Sequence, residues 1–107
     1  MTYDIVFAKQ AINDLDSIFE YIAYELASPI SATRQIERLE AKIDGLHDLP
    51  FRYKRYFSER TNDNVIRVMP VDNYAVLFYP NRNTHQVTIL RIIYSRRDLD
   101  RLLLTEE

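Results

Sequence analysis

Residues 64–104 read NVIRVMPVDNYAVLFYPNRNTHQVTILRIIYSRRDLDRLLL, and this stretch decides the fold. Val65 to Val71 is a β-rich run, and Pro70 near its end places it towards a sheet edge. Asp72-Asn73 is a two-residue hairpin turn by composition, because both residue types tolerate positive φ. Tyr74 to Tyr79 is the returning strand, and Pro80 to His85 is a polar loop. Gln86 to Tyr94 is the most apolar run, which predicts a central strand. Arg97 to Leu104 fits a short closing helix with Leu99, Leu102 and Leu103 on one side.

The preceding half reads as cover for one face of that sheet. Thr2 to Phe7 alternates apolar and polar residues and predicts a first strand. From Lys9 the period lengthens: Ile12, Leu15, Phe19, Ile22 and Leu26 form one helical stripe. Ser28-Pro29 stops this helix and starts another, with Ser as N-cap and Pro at the first helical position. Ile36, Leu39, Ile43 and Leu46 form the second stripe, which Leu49-Pro50 ends. Phe51 to Phe57 interleaves Arg52, Lys54 and Arg55 with Tyr53 and Tyr56, as an edge strand or ordered loop would. Arg60 to Asn64 is a turn by composition. The expected fold is therefore two-layer α+β. An N-terminal strand and an α-helical hairpin pack on a mainly antiparallel sheet, and a short C-terminal helix closes it.

The chain has 107 residues, enough for a single domain spanning 1–107. It has one glycine and no cysteine, which excludes a glycine-rich phosphate loop, a disulfide and a thiolate metal site. Its two histidines and scattered carboxylates suggest no metal and no cofactor. No run approaches the length of a membrane span and no signal peptide opens the sequence, so a cytoplasmic protein is expected. Residues 1–50 carry four Lys/Arg against nine Asp/Glu, a net of −5, and residues 51–107 carry ten against seven, a net of +3. One face meeting an anion would produce that asymmetry, and so would acidic solvent faces on two helices.

Arginine, tyrosine and one loop histidine remain as chemistry. Arginine clamps phosphate and stays charged. Tyrosine stacks on bases and can exchange a proton. Together they suit metal-free RNA cleavage, in which a ribose 2′-hydroxyl attacks its own phosphate. The candidate catalytic residues are Arg67 and Arg97 as clamps, with Tyr94 or His85 in proton transfer. Arg52, Lys54, Arg55 and Arg96 are candidates for binding RNA or another target. Each also has a plain reading as an exposed strand, loop or helix-start residue.

The order strand, helix pair, then strands ending in ILRIIYSRRDLDRLL resembles the RelE/ParE superfamily of type II toxin–antitoxin toxins. The most specific parts are IRVMPVDNYAVLFY and RIIYSRRDL, and the opening YDIVFAKQAINDLDSIFEYIAYEL fits as well. The resemblance implies a toxin held inactive by an adjacently encoded antitoxin. RelE-like members cleave mRNA on the ribosome, and ParE-like members inhibit DNA gyrase. Of the residues that RNA-cleaving members often carry, Arg97 matches the arginine after the last strand. The hairpin-strand arginine falls at Ala75, after Tyr74, and the late tyrosine falls near Leu103. Ribosome-associated mRNA cleavage, gyrase inhibition by protein binding, and a degenerate interaction protein without toxicity all stay open.

Overall fold

The computed structural model describes residues 2–56 and 66–94. The expected turn at 60–64 and closing helix at 97–104 lie outside them, as do Arg96 and Arg97. Strand β1 (Asp4–Phe7) leads into helix α1 (Lys9–Glu20), which ends in a π-helical turn over Tyr21–Glu25. Helix α2 (Pro29–Asp44) follows, then 3₁₀ turns at Gly45–His47 and Pro50–Arg52. Strands β2 (Arg67–Val71), β3 (Tyr74–Asn81) and β4 (Gln86–Ile93) complete a four-stranded sheet in the order β1-β4-β3-β2. β2, β3 and β4 run antiparallel, and β1 lies parallel to β4. The fold is α+β, and the apolar strand β4 is internal as its composition predicted.

Strand alternation divides the side chains between two faces. Val76, Phe78, Val87, Ile89 and Ile92 face the helices and meet Leu39, Ile43 and Leu46 in the main core. Ala75, Leu77 and Ile93 face the other way, with Tyr56, Ile66, Val68 and Leu90 packed beside them. Pro80 lies inside β3, not at the start of a loop. Proline has no N–H for a ladder. Among the described residues the pairing of β2 with β3 ends at Phe78, and beyond it β3 pairs with β4, Pro80 opposite Val87. The basic stretch after Pro50 runs along the outside of β2. Tyr56 N–H donates to Ile66 C=O at 2.7 Å, and Val68 N–H to Lys54 C=O at 3.0 Å.

The α2 stripe lies where its spacing put it: Leu39 and Leu46 are fully buried and Ile43 nearly so. The α1 stripe is rotated. Ala11 is fully buried and Leu15 and Ile18 pack on the core, whereas Ile12 and Leu26 are 48% and 56% exposed. Phe19 and Ile22 are half-buried. A small residue at position 11 lets the helix axis approach β4 closely, and that contact sets the rotation. Ser28 departs from expectation too. Its hydroxyl donates to Ser31 Oγ at 2.7 Å and caps no backbone N–H.

Tight connections are made without glycine. Among the described residues Ala27, Leu49, Asp72 and His85 take φ values of 52°, 48°, 54° and 53°. Ala27 closes α1: Leu26 N–H reaches Tyr21 C=O, and Ser28 N–H reaches Ile22 C=O, each at 3.1 Å. In the hairpin turn Asp72 alone takes positive φ, not Asp72 and Asn73 together. The single glycine, Gly45, is helical at φ −62°, and a Cβ there would meet nothing within 4 Å. Gly45→Ala should therefore raise unfolding stability by roughly 0.4–1 kcal/mol, mainly by restricting the unfolded chain. Denaturant titration of both proteins measures it, and a lower midpoint for the alanine variant would contradict this account.

Candidate functional site

Chemistry-bearing side chains gather at opposite ends of the sheet. At the end holding the β3–β4 turn, Arg67 is paired across the ladder with Phe78, which puts it on the helix-facing side. Its Nη1 donates to the carbonyl of Phe51 at 3.0 Å and to that of Tyr53 at 2.7 Å. Phe51 is flanked by two guanidiniums, with Arg67 at 5.1 Å from the ring centroid and Arg82 at 3.9 Å. Burial, and then the charges of Arg55 and Arg82, lower the pKa of Arg67 from its ordinary value. Its Nε is buried without a hydrogen-bond partner. Arg67 thus holds the chain at 51–53 in place.

His85 sits at this same end, exposed, in the turn before β4. Its ring makes an edge contact with Tyr3 at 5.6 Å, and its carbonyl accepts Asp4 N–H at 2.9 Å. His47 fastens β1 from the other side through Nδ1 and the Tyr3 carbonyl. Tyr94 follows the far end of β4, 58% exposed, with its ring perpendicular to Tyr74 at 5.5 Å. Nine steps of nearly extended chain lead from His85 to Tyr94, about 30 Å at the rise of a strand. Of the expected catalytic residues, Arg67 and His85 thus share one end of the sheet and Tyr94 stands at the other.

Two clefts open beside Tyr94. One, of about 510 Å³, lies between the end of α1 and β4, lined by Ile18, Tyr21, Tyr74, Ile92 and Tyr94 over Asp14 and Arg91. The other, of about 590 Å³, is lined by Arg52 and Lys54 together with Tyr53, Tyr56, Tyr74 and Tyr94. Burial, with Tyr94, Tyr21 and Asp72 nearby, raises the pKa of Tyr74. Two of the expected target-binding residues, Arg52 and Lys54, thus share a cleft. Arg55, exposed, bridges to Arg67 along β2.

Sequence reasoning missed Asp14 and Arg91. Asp14 Oδ2 accepts Arg91 Nε at 2.8 Å and Ile92 N–H at 2.9 Å, and Oδ1 accepts Arg91 Nη2 at 3.2 Å. A bulge opposite Leu77 and Phe78 accommodates this arrangement. The signals were present: Asp14 shares the helical face of Ala11 and Ile18, and Arg91 is the one charge inside QVTILRIIY. A second tie joins α2 to the hairpin turn, where Asp72 Oδ2 accepts Arg38 Nε at 2.8 Å and Gln35 Nε2 at 3.0 Å. Those bonds lower the pKa of Asp72. Their stabilisation is therefore present above the ordinary carboxylate range and fades as pH falls through it. Among the described residues no three His, Cys, Asp or Glu side chains gather as metal ligands, and no helix is long and apolar enough to cross a membrane.

The model of the ParE toxin of the type II toxin–antitoxin system parDE matches residues 5–99. The chain belongs to the ParE toxin family. Its fold is that of solved relatives with low sequence identity. The chromosomal ParDE toxin–antitoxin system from P. aeruginosa aligns at a TM-score of 0.72 with 18% identity, covering 89% of this chain and 98% of that one. The RelBE2 toxin–antitoxin complex from Mycobacterium tuberculosis gives 0.67 and 18%, covering 88% and 99%. The archaeal RelE–RelB complex from Pyrococcus horikoshii gives 0.62 and 21%, covering 91% and 99%. No protein of curated function matches in sequence. The resemblance read from IRVMPVDNYAVLFY and RIIYSRRDL therefore held, and this ParE-family toxin is a type II toxin–antitoxin component.

The Asp14 linkage can be probed directly. Asp14→Ala strands the Ile92 N–H and removes a carboxylate that is only 11% exposed from Arg91. It should destabilise the toxin by roughly 2–3 kcal/mol in denaturant titration. Asp14→Asn, which keeps an acceptor for Ile92, should lose about half as much. Equal losses in the two variants would show that the acceptor to Ile92 adds nothing.

Proposed function

We propose that this ParE-family toxin arrests growth by binding DNA gyrase, without cutting RNA. The observation that carries the reading is the engagement of Arg67. Its guanidinium is spent on the carbonyls of Phe51 and Tyr53 and on the Phe51 ring, on the helix-facing side of the sheet. The family match points the same way, because ParE-like members are the gyrase inhibitors of the superfamily. Ribosome-associated mRNA cleavage through Arg67, Arg97 and either Tyr94 or His85 has less support, since Arg67, which shares the sheet end of His85 and stands a strand length from Tyr94, is already engaged by residues 51–53. No residue here would then act as a nucleophile or general base.

Inhibition by binding needs a few exposed anchors more than a catalytic constellation. Tyr21 and Tyr94, 55% and 58% exposed, line the cleft between α1 and β4 and supply such anchors. An antitoxin encoded beside the toxin gene would hold the protein inactive, with its acidic, partly disordered segment meeting the basic half of the chain.

Induction of the toxin, with gyrase supercoiling assays and transcript-end mapping in parallel, separates the mechanisms. The expected outcome is lost supercoiling activity, unchanged transcript ends, and growth restored by co-expressing the adjacent antitoxin. New transcript ends with full supercoiling activity would overturn the proposal and return the assignment to RNA cleavage.

A further inference from the structure

We infer that the cleft lined by Arg52, Lys54 and Tyr94 is a binding site for a nucleotide unit, a planar base joined to a phosphate. Three observations carry this. First, the cleft is cationic in net effect. Among the described residues Asp72 is its only acid, and Asp72 is already engaged by Arg38 and Gln35. Arg52 and Lys54 have no carboxylate partner among the described residues. Second, it offers an aromatic surface. Tyr94 is more than half exposed, yet its ring is fixed by the perpendicular contact with Tyr74. A ring held in place loses little freedom when a base stacks on it. Third, the size fits. About 590 Å³ lies within the roughly 300–1,000 Å³ of small-ligand sites and has room for a base with its sugar and phosphate.

The parts divide the ligand between them. The phosphate meets the Arg52 guanidinium and the Lys54 ammonium, and the base lies against Tyr94, in a cleft that Tyr56 also lines. Arg52 is steered into this position. It stacks 5.0 Å from the Tyr53 ring centroid, and its Nη2 donates to the Tyr53 hydroxyl at 3.0 Å. Arg67 supports the arrangement from behind by holding the carbonyl of Tyr53. An acidic peptide would use the two cations but would leave the planar tyrosine face unused, which favours the nucleotide. The inference goes beyond gyrase inhibition and does not rest on it, because binding is read without gyrase present.

The test titrates the full-length toxin with AMP, with the dinucleotide pTpT and with an acidic hexapeptide, following tyrosine-ring NMR shifts and heat. The expected result is binding of pTpT with a shift at Tyr94, weakening as salt rises. The Arg52→Ala/Lys54→Ala double variant should weaken it by about tenfold or more. Tyr94→Phe should bind as the parent does, and Tyr94→Ala should lose several-fold. Circular dichroism confirms that each variant is folded. Tighter binding of AMP than of pTpT would assign the site to a free nucleotide, and the reverse order would assign it to a strand. The inference is overturned if neither nucleotide binds at about 5 mM, a limit of roughly −3 kcal/mol. It is also overturned if binding survives the double variant, or if only the peptide binds.

Discussion

The outer edge of β4 is satisfied in two different ways along its length, and the molecule is arranged around that change. As far as Ile89 the partner is a strand: β1 runs beside β4 from Asp4 opposite Gln86 to Phe7 opposite Ile89. There the chain leaves the sheet, with Ala8 N–H on Ile89 C=O at 2.9 Å, and becomes α1. Beyond that point Asp14 reaches down from the helix to accept the Ile92 N–H and grip Arg91. An unpaired N–H inside a protein is expensive. A carboxylate from the helix that displaced the strand answers that need and fixes the pitch of the helix at the same time. The bulge in β4 and the cleft beside Tyr94 lie at this handover, next to the rotation that Ala11 sets in α1.

Much of the frame was legible because periodicity carries it. The strands from 67 to 93 and the buried stripe of α2 came from spacing, and the internal place of β4 from its apolar composition. The rotation of α1 did not. Its apolar residues are plentiful enough that two neighbouring stripes compete, and the choice was made by Ala11, whose small side chain carries little weight in a hydrophobic pattern. Pro80 reads as the start of a loop because local rules do not see that pairing with β4 carries β3 on to Asn81. The site was less legible for a related reason. Which face Arg67 takes depends on cross-strand register and on the return of residues 51–53, neither of which is a local property.

The two ends of the sheet have different work. One is dense with cation–aromatic and edge contacts around Phe51, which tie β1, the 3₁₀ turn and the β3–β4 turn into one knot. The other carries exposed tyrosines and two clefts that meet at Tyr74 and Tyr94. The charge asymmetry of the sequence fits this division only in part. Several arginines of the basic half, Arg67 and Arg91 among them, serve the fold. The surface positive charge left for a partner is smaller than the sequence count suggests.

The parallel pairing of β1 with β4 also sets a timetable for synthesis. Asp4 finds its partner at Gln86, 82 positions later, so β1 cannot dock until nearly all the sheet has left the ribosome. At about 5–20 residues per second that interval is roughly 4–16 s. In its later part the helical hairpin carries Leu39, Ile43 and Leu46 without β4 to cover them, since their sheet is made last. The toxin is thus built with a pause in which its core side chains are open to capture. An antitoxin or chaperone already present in the cell would meet the nascent chain before the finished protein existed.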